Sequence, residues 1–220
     1  MGETTKRVVT ISSTYGAGGT VVGPAVARKL GLPYLSSVVS PAVASRAAAA
    51  ACDERRLSED ERSEGLLRRV LDSLASVPAL FGPVLPPLDE SVVTADRVSE
   101  RVEASIVSLA DETGGVVVGR GAVCVLRRHP GAFHVCLDGP RDRRVAQAMR
   151  IEDIDEEEAR RRQSAVDRTR TLYMKRFYDS DLTDVRLYHL VLDSTSMPLD
   201  VCTDIVVRAA HAAWASGGNR

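Results

Sequence analysis

The sequence predicts an α/β protein with a doubly wound parallel sheet. The first observation is a set of short apolar runs that have the length and composition of buried strands, at residues 7–12, 116–118, 133–137 and 188–192. The second is that longer segments of helical periodicity separate these runs. Because parallel strands need helical crossovers between them, this alternation predicts a parallel, doubly wound sheet.

The chain begins with a strand, a glycine-rich turn and a helix. Residues 7–12 read RVVTIS, a β-branched run typical of a buried strand, and the turn follows at 13–19. Residues 20–30 show helical periodicity, and Gly31 with Pro33 beyond it is typical of a helix C-terminus. The turn therefore lies directly between a buried strand and a helix N-terminus.

The middle of the chain predicts a helical insertion over residues 40–113. Residues 40–75 predict two helices, and the four prolines at 77–88 predict a loop or a crossing segment. A long amphipathic helix is predicted at 91–112, with its apolar stripe formed by Val98, Val102, Ile106 and Leu109.

The second half of the chain alternates strands with three further helices. These helices are predicted at about 141–150, 155–177 and 198–214. Asp167 and Arg170 lie three residues apart in the second of them, so their side chains share a face. All the elements together predict a single domain over residues 1–220.

The composition excludes several classes of protein. A length of 220 residues fits one domain, and a net charge of −1 argues against a protein that binds nucleic acid polymers. The four cysteines form no C-x-x-C pair, and the four histidines lack metal-ligand spacing. With no N-terminal apolar run and no membrane-length apolar stretch, we expect a cytoplasmic protein without a membrane partner. Only three of the 29 basic residues are lysine, and arginine binds phosphate bidentately.

The glycine-rich turn predicts a phosphate-binding loop; it reads Ser13-Thr14-Tyr15-Gly16-Ala17-Gly18-Gly19-Thr20. Such a turn presents backbone N–H groups and the positive end of a helix dipole to an anion. On the usual P-loop pattern G-x-x-x-x-G-K-[ST], Gly18 matches the second glycine and Thr20 the hydroxyl that binds magnesium. Ser13 replaces the first glycine, and Gly19 stands where lysine belongs. A tight turn that binds no ligand is the alternative interpretation.

Three features near the turn leave alternatives open. The missing lysine normally places its ammonium group on the β- and γ-phosphates, so an arginine from elsewhere must supply this charge, or the activity is weak or absent. Tyr15 shields the site, stacks on a ligand, or anchors the loop by packing. Asp138, which ends a predicted strand, either assists magnesium or caps the next helix.

Five segments occur in the order that one known family shows. They are VTISSTYGAGGTVVGPAVARKLGLPYL at 9–35, VVVGRGA at 116–122, HVCLDGPRDRR at 134–144, VDRTRTLYMKRFY at 166–178 and LDST at 192–195. In these segments the chain resembles the cytidylate kinase-like family, a branch of the nucleoside monophosphate kinases with a P-loop fold. Members of that family commonly lack the P-loop lysine. The resemblance covers nearly the whole chain and is weakest from about 40 to 113.

The resemblance implies a role for each matching residue. The residues implied to neutralise the transferring phosphoryl group are Arg144, Arg168 and Arg170. Those implied to bind the acceptor are Arg120 and Arg170 at its phosphate, Asp167 at its sugar, and Ser36. The donor ATP is implied to lie on Ser13, Thr14, Tyr15, Gly16, Ala17, Gly18, Gly19 and Thr20, with its base beside Asp193, Ser194 and Thr195. Thr20 is the implied ligand of Mg²⁺.

The chain departs from the family pattern at several positions. Val118 stands where a carboxylate helps to organise magnesium, and Gly121 stands where a second aspartate follows the arginine. Gln163 replaces an arginine of the lid, and Ser36 replaces an aspartate on the acceptor side. The identity of the acceptor is therefore less firmly implied than the fold.

The resemblance implies transfer of a phosphoryl group from ATP, with Mg²⁺, to a nucleoside monophosphate such as CMP or dCMP. Residues 40–113 would cover the acceptor, and residues 155–178 would form a lid helix over the nucleotide substrates. The predicted helix at 91–112 could also serve a homodimer contact, although core packing is the simpler use. Two other functions stay open: a nucleotide-binding regulatory protein without catalysis, and a kinase for another small acceptor.

Overall fold

The computed structural model describes residues 5–36 and 95–216 of the chain. Within these residues lie the strands β1 (Val8–Ser13), β2 (Tyr34–Ser36), β3 (Gly115–Val118), β4 (Ala132–Asp138) and β5 (Leu190–Asp193). They form one sheet in the order β2-β3-β1-β4-β5, and every pairing is parallel. The sheet confirms the predicted fold class.

Helices cover both faces of this sheet. They are α1 (Gly19–Leu30), α2 (Ala95–Glu112), α3 (Ala122–Val125), α4 (Arg141–Glu152), α5 (Glu156–Tyr178) and α6 (Leu199–Ala215). On one face, α1 and α6 enclose a core that includes Val22 and Val206, both fully buried. On the other face, α2, α3 and the end of α5 enclose a second core that includes Ile106 and Met174. Among the described residues, none of these helices is both long and apolar enough to cross a membrane.

The first unit of the chain forms as its sequence predicts. The predicted strand and helix each agree with β1 and α1 to within one residue. Gly18 precedes α1 and Gly31 follows it, both in the left-handed conformation that glycine adopts without strain. The N–H of Gly31 donates to the carbonyls of Ala27 and Arg28, which closes the last turn of α1.

Two elements are absent from the sequence-based prediction. Strand β2 is only three residues long, too short for an alternating pattern, and it forms because it pairs with β3. Helix α3 is a single turn that follows a glycine-rich bend. The last strand begins at Leu190 rather than at residue 188, because a 3₁₀ turn at Val185–Leu187 precedes it. The helices predicted at 40–75 and the proline segment at 77–88 lie outside the described residues.

The strand order places the glycine-rich turn at the centre of one sheet edge. Strand β1 lies between β3 and β4, and the chain crosses from one side of β1 to the other between those two strands. In open parallel sheets, ligands bind at the carboxyl ends of the strands where the order reverses. The segments that follow β1, β3 and β4 therefore border one crevice.

Candidate active site

The turn after β1 has a backbone that only glycine permits at two positions. Gly16 and Gly18 have φ angles of 80° and 78°, in the left-handed region. A Cβ atom on Gly16 would lie 2.2 Å from the carbonyl oxygen of Arg144, and one on Gly18 would lie 2.6 Å from the side chain of Leu199. The loop is thus a tight cradle that a side chain at either position would fill.

Backbone donors of the loop face away from the protein's own acceptors. In the described part of the chain, the N–H groups of Gly18, Gly19 and Thr20 form no hydrogen bond with a protein group. Helix α1 begins at the same point, so its dipole adds positive potential. These donors fit the oxygen atoms of a bound phosphate, as the sequence predicts.

The position of the missing lysine is closed by a neighbouring side chain. A Cβ atom on Gly19 would lie 2.6 Å from Cβ and 2.7 Å from Oγ of Ser13. Val118 packs on the same side, where one of its methyl groups would lie 2.5 Å from a Cβ on Gly23. Ser13 therefore occupies the space in which a lysine side chain would begin. The two departures from the P-loop pattern, Ser13 and Gly19, are thus packed against each other.

Arg144 and Asp167 brace the loop from two helices. Arg144 Nη1 donates to the carbonyl of Tyr15 at 2.8 Å and to Asp167 Oδ2 at 2.7 Å, and Nε donates to the carbonyl of Gly139 at 2.9 Å. Asp167 Oδ1 accepts the N–H of Tyr15 at 2.9 Å. The Arg144 side chain is only 7% exposed, so this ion pair is shielded from water. The acceptor-sugar role of Asp167 stays a prediction, since both of its oxygens here bind the loop and Arg144.

Helix α5, which the sequence predicts as a lid, carries two predicted arginines with different surroundings. Arg170 lies one turn beyond Asp167, with its Nη1 3.9 Å from Asp167 Oδ1. That Nη1 atom is buried and forms no hydrogen bond within the described residues, and burial lowers the pKa of the guanidinium. Arg168 is exposed and is rotated by about 100° around α5 from Asp167. The structure therefore brings Arg170 to the loop and leaves the role of Arg168 as a prediction.

The side chain of Tyr15 packs inside the protein. Its ring is 7% exposed, and it lies in a cluster with Val145, Ala148 and Val166. Its hydroxyl donates to Glu152 at 2.8 Å, and burial raises the pKa of the phenol. This packing favours the anchoring interpretation of Tyr15, because the ring is enclosed by α4 and α5. A role at a ligand stays a prediction.

Asp138 lies beside the loop at the end of β4. Its Oδ1 accepts the hydroxyl of Thr14 at 2.7 Å and lies 3.5 Å from Nε of Arg144. The capping alternative is wrong, because α4 begins after Pro140 and has no side-chain cap. Its side chain is 50% exposed, so a carboxylate is available next to the glycine-rich turn.

The turn after β5 supports the loop from the other side. Ser194 is fully buried, and its hydroxyl donates to the carbonyl of Ala17 at 2.7 Å. Asp193 Oδ1 accepts the N–H and hydroxyl of Thr195, and these bonds lower its pKa, with Arg143 contributing at 2.7 Å. This turn is fixed against the loop, and its role at a donor base stays a prediction.

The predicted metal position fits magnesium held through phosphate. Thr20 lies exposed in the first turn of α1, next to the unpaired N–H groups. No group of three or more histidine, cysteine, aspartate or glutamate side chains that could hold an ion occurs among the described residues. Mg²⁺ is commonly bound by one or two protein ligands together with substrate phosphates and water, and Thr20 suits this arrangement.

Arg120 lies at the carboxyl end of β3, beside the loop. It has a φ of 57° between Gly119 and Gly121 at 73° and 68°, so three consecutive residues are left-handed. The side chain is 8% exposed, and burial lowers the pKa of its guanidinium. Ser36 ends the adjacent strand β2, in register with Val118. The predicted acceptor residues Arg120 and Ser36 therefore lie at neighbouring strand ends.

Sequence reasoning missed one residue that holds the loop. Gln147 is 5% exposed, and its Nε2 donates to the carbonyl of Gly16 at 3.0 Å. Its signal was the spacing of three residues from Arg144, which places both polar side chains on the buried face of α4.

Solved structures of similar fold include proteins of different names. One is an uncharacterized protein from Eubacterium ventriosum, 18% identical, with a TM-score of 0.56 over 94% of this chain and 99% of that one. A gluconokinase from Sinorhizobium meliloti is 16% identical, with a TM-score of 0.45 over 96% of this chain and 93% of that one. A shikimate kinase from Acinetobacter baumannii in complex with shikimate is 12% identical, with a TM-score of 0.45 over 96% and 95%. At these identities the first likeness shows the fold alone. No curated protein matches the chain.

The sequence also matches a family profile over most of its length. The profile describes the cytidylate kinase-like family, and the match extends over residues 8–196. This range contains the loop, Arg120, Arg144, the lid helix and the turn after β5. The family supports phosphoryl transfer as the class of reaction, with ATP and Mg²⁺ as its usual reactants. The chain belongs to the cytidylate kinase-like family.

Proposed function

We propose that this protein transfers the γ-phosphoryl group of ATP to a nucleoside monophosphate, with CMP or dCMP as the favoured acceptor. The observation that carries the proposal is the loop of free backbone donors bordered by Arg144 and Arg170. In the reaction, a phosphate oxygen of the acceptor attacks the γ-phosphorus, the bond to the bridging oxygen breaks, and ADP leaves. Such a transfer needs positioning and positive charge more than covalent help from the protein.

The donor side is formed by the loop and α1. The N–H groups of Gly18, Gly19 and Thr20 bind the donor phosphates, and the Thr20 hydroxyl is the group that would hold Mg²⁺. When bound, Mg²⁺ neutralises charge on the phosphate oxygens. The lysine that would add charge is replaced by Arg170, which reaches the loop from the lid helix and is held near Asp167. Because Arg144 is fixed by three hydrogen bonds, its main contribution is to hold the loop and Asp167 in place.

The acceptor side is formed by the ends of β2 and β3. Arg120 supplies a buried guanidinium there, next to the donor loop. The fork of an arginine binds the two oxygens of a terminal phosphate in a fixed orientation. We therefore expect the acceptor phosphate to lie between Arg120 and the transferring group.

Binding without turnover is the second candidate function. It is favoured by the packing of Ser13 against Gly19 and by the apolar Val118 at the position of a magnesium-side carboxylate. Under this alternative, ATP binds to the loop and no phosphoryl group is transferred. A kinase for a different small acceptor is distinguished from both by the acceptor that supports ADP release.

The test is coupled ADP release from Mg-ATP with CMP, dCMP, UMP, AMP and GMP in parallel. The variant Arg170→Ala removes the proposed lysine replacement, and we expect kcat to fall by at least about 100-fold. Arg160→Ala is the matched control, since Arg160 is exposed on the same helix and pairs only with Glu156 and Asp142 among the described residues. We expect it to retain wild-type kcat.

Each outcome separates the candidates. Turnover with one monophosphate that is lost in Arg170→Ala and kept in Arg160→Ala supports the proposal and identifies the acceptor. ATP binding by calorimetry without ADP release for any monophosphate rejects the proposal and leaves the binding protein or a kinase for a different small acceptor. Equal loss in both arginine variants would show that α5 acts through stability rather than through Arg170.

A further inference from the structure

We propose that the hydroxyl group of Tyr173 binds the acceptor's phosphate between Arg120 and Arg170. The inference deepens the proposed function and rests on it, because it adds a residue to the acceptor side of the same site. The ligand class is a phosphate monoester, and Tyr173 acts as a neutral hydrogen-bond donor.

Helix α5 joins the donor loop to the acceptor turn. Near its middle, Asp167 accepts the N–H of Tyr15 at 2.9 Å. At its end, the ring of Tyr178 packs on the turn that holds Arg120, because a Cβ on Gly121 would lie 2.3 Å from that ring. Tyr173 lies between these two contacts along the helix. It shares a face with Arg170, which is three residues earlier.

Tyr173 lies against the same acceptor turn. Its ring centroid is 5.9 Å from that of Tyr178 in an edge-to-face arrangement, and Tyr173 and Ala122 belong to one buried cluster. Burial lowers the pKa of Arg120, and Tyr173 is the neighbour that opposes this change. Tyr173 and the turn that holds Arg120 therefore lie in the same part of the structure, with the Tyr178 ring packed against both.

The hydroxyl of Tyr173 lacks a well-formed hydrogen bond within the described part of the protein. Tyr173 is 8% exposed, and its hydroxyl oxygen is buried without a hydrogen bond of normal geometry to a described residue. Arg170 Nη1, one turn earlier on α5, is also buried and forms no hydrogen bond within residues 5–36 and 95–216. Buried polar groups nearly always have a partner, so such donors indicate a water, ion or ligand that completes them. Two such donors, three residues apart on one helix, suit oxygen atoms of a phosphate.

The turn formed by Gly119, Arg120 and Gly121 has left-handed backbone at all three residues, and it is the turn that the end of α5 contacts. A non-glycine residue with positive φ is strained and persists where its surroundings hold it. Here the Tyr178 ring fills the space above Gly121, so the turn cannot relax in that direction. The end of α5 thereby fixes Arg120 and brings Tyr173 to it.

The experiment measures binding of CMP and of inorganic phosphate by calorimetry, together with the KM of the acceptor and the unfolding free energy. Tyr173→Phe removes only the hydroxyl, and we expect CMP and phosphate to bind about tenfold or more weakly, as for loss of a hydrogen bond to a charged group. The KM for ATP should stay within about twofold, because the donor loop is unchanged.

Tyr188→Phe is the matched control. Its hydroxyl donates to the carbonyl of Leu182 at 3.1 Å, so its removal deletes a bond within the protein. We expect Tyr188→Phe to be less stable than wild type and to bind CMP normally. Tyr173→Phe should show the reverse, with stability equal to or above wild type, since the hydroxyl that it removes makes no hydrogen bond of normal geometry to a described residue.

The inference and the proposed function fail in different ways. Turnover by the wild type with an unchanged acceptor KM in Tyr173→Phe overturns the inference and keeps the kinase. Phosphate binding that depends on Tyr173, without turnover by the wild type, supports the anion site and rejects the kinase. A wild type that binds neither CMP nor inorganic phosphate overturns the inference, as does Tyr173→Phe that loses stability while binding both normally.

Discussion

Restoring the P-loop lysine should damage this protein unless Ser13 is changed as well. In Gly19→Lys, the new Cβ would lie 2.6 Å from Cβ and 2.7 Å from Oγ of Ser13. Carbon atoms that are not bonded do not approach to 2.6 Å. The serine belongs to the end of β1, where it cannot turn aside as a long side chain would, so the strand end or α1 must shift.

The size of the effect follows from this overlap. Overpacking of a well-packed site costs about 1–3 kcal/mol. Helix propensity alone would instead favour replacement of glycine, by up to about 1 kcal/mol. We therefore expect Gly19→Ala, which adds only the Cβ atom, and Gly19→Lys to lose about 1–2 kcal/mol of unfolding free energy. For a chain of this length, the melting temperature then falls by a few degrees, roughly 2–4 °C for each kcal/mol.

The assay is a double-mutant cycle in urea, with Ser13→Gly as the second change. Ser13→Gly removes both atoms that the new side chain meets, so Ser13→Gly/Gly19→Lys should be more stable than the sum of the single changes predicts. We expect a coupling energy of about 1–2 kcal/mol, within the range for residues in contact. Calorimetry should then show tighter ATP binding by the double variant, because the ammonium adds charge at the phosphates.

The stability of Gly19→Ala relative to wild type tests whether the overlap with Ser13 is as costly as we expect. If Gly19→Ala is as stable as wild type or more stable, the gain from helix propensity is at least as large as the cost of the overlap with Ser13. Strictly additive changes in the cycle would likewise show that Ser13 and Gly19 are independent.

Three further predictions concern the supports of the loop and the sheet. Asp167→Asn weakens the ion pair with Arg144, and we expect the unfolding free energy measured in urea to fall by about 1–3 kcal/mol. The loss is smaller than for a fully buried ion pair because Asp167 is 26% exposed. Unchanged stability would contradict this. Gln147→Leu leaves the Gly16 carbonyl without its donor, so the unfolding free energy should fall by about 1–3 kcal/mol. Calorimetry should also show weaker ATP binding. Unaltered ATP affinity would argue that Gln147 does not hold the loop in its binding conformation. Burial, with His189 adding to it, lowers the pKa of His134 to about 4. The unfolded chain therefore binds more protons between pH 6.5 and 4, and the unfolding free energy should fall by up to about 3 kcal/mol as the pH falls through this window. His134→Gln should flatten that slope in urea titrations at several pH values.

The fold was largely predictable because its signals are local. Strand β1, its turn and α1 differ from the prediction by one residue, since a β-branched run, a glycine cluster and a periodic helix each act over a few neighbours. Strand β2 was not predictable, because its three residues become a strand only through pairing with β3. The capping interpretation of Asp138 failed for a related reason: its hydrogen-bond partner is Thr14, which lies far away in the sequence.

The sequence by itself determined a glycine-rich turn between a strand and a helix, a parallel sheet and the absence of the P-loop lysine. Those features depend on backbone preferences and periodicity, which neighbouring residues carry. Only the tertiary structure decided that Ser13 closes the lysine position, and that Asp167 reaches the N–H of Tyr15 across 152 residues of chain. The same holds for Tyr173, whose hydroxyl is buried in one cluster with Ala122 because the end of α5 packs against the segment that follows β3. Such contacts depend on how distant elements pack, and no local pattern records that packing.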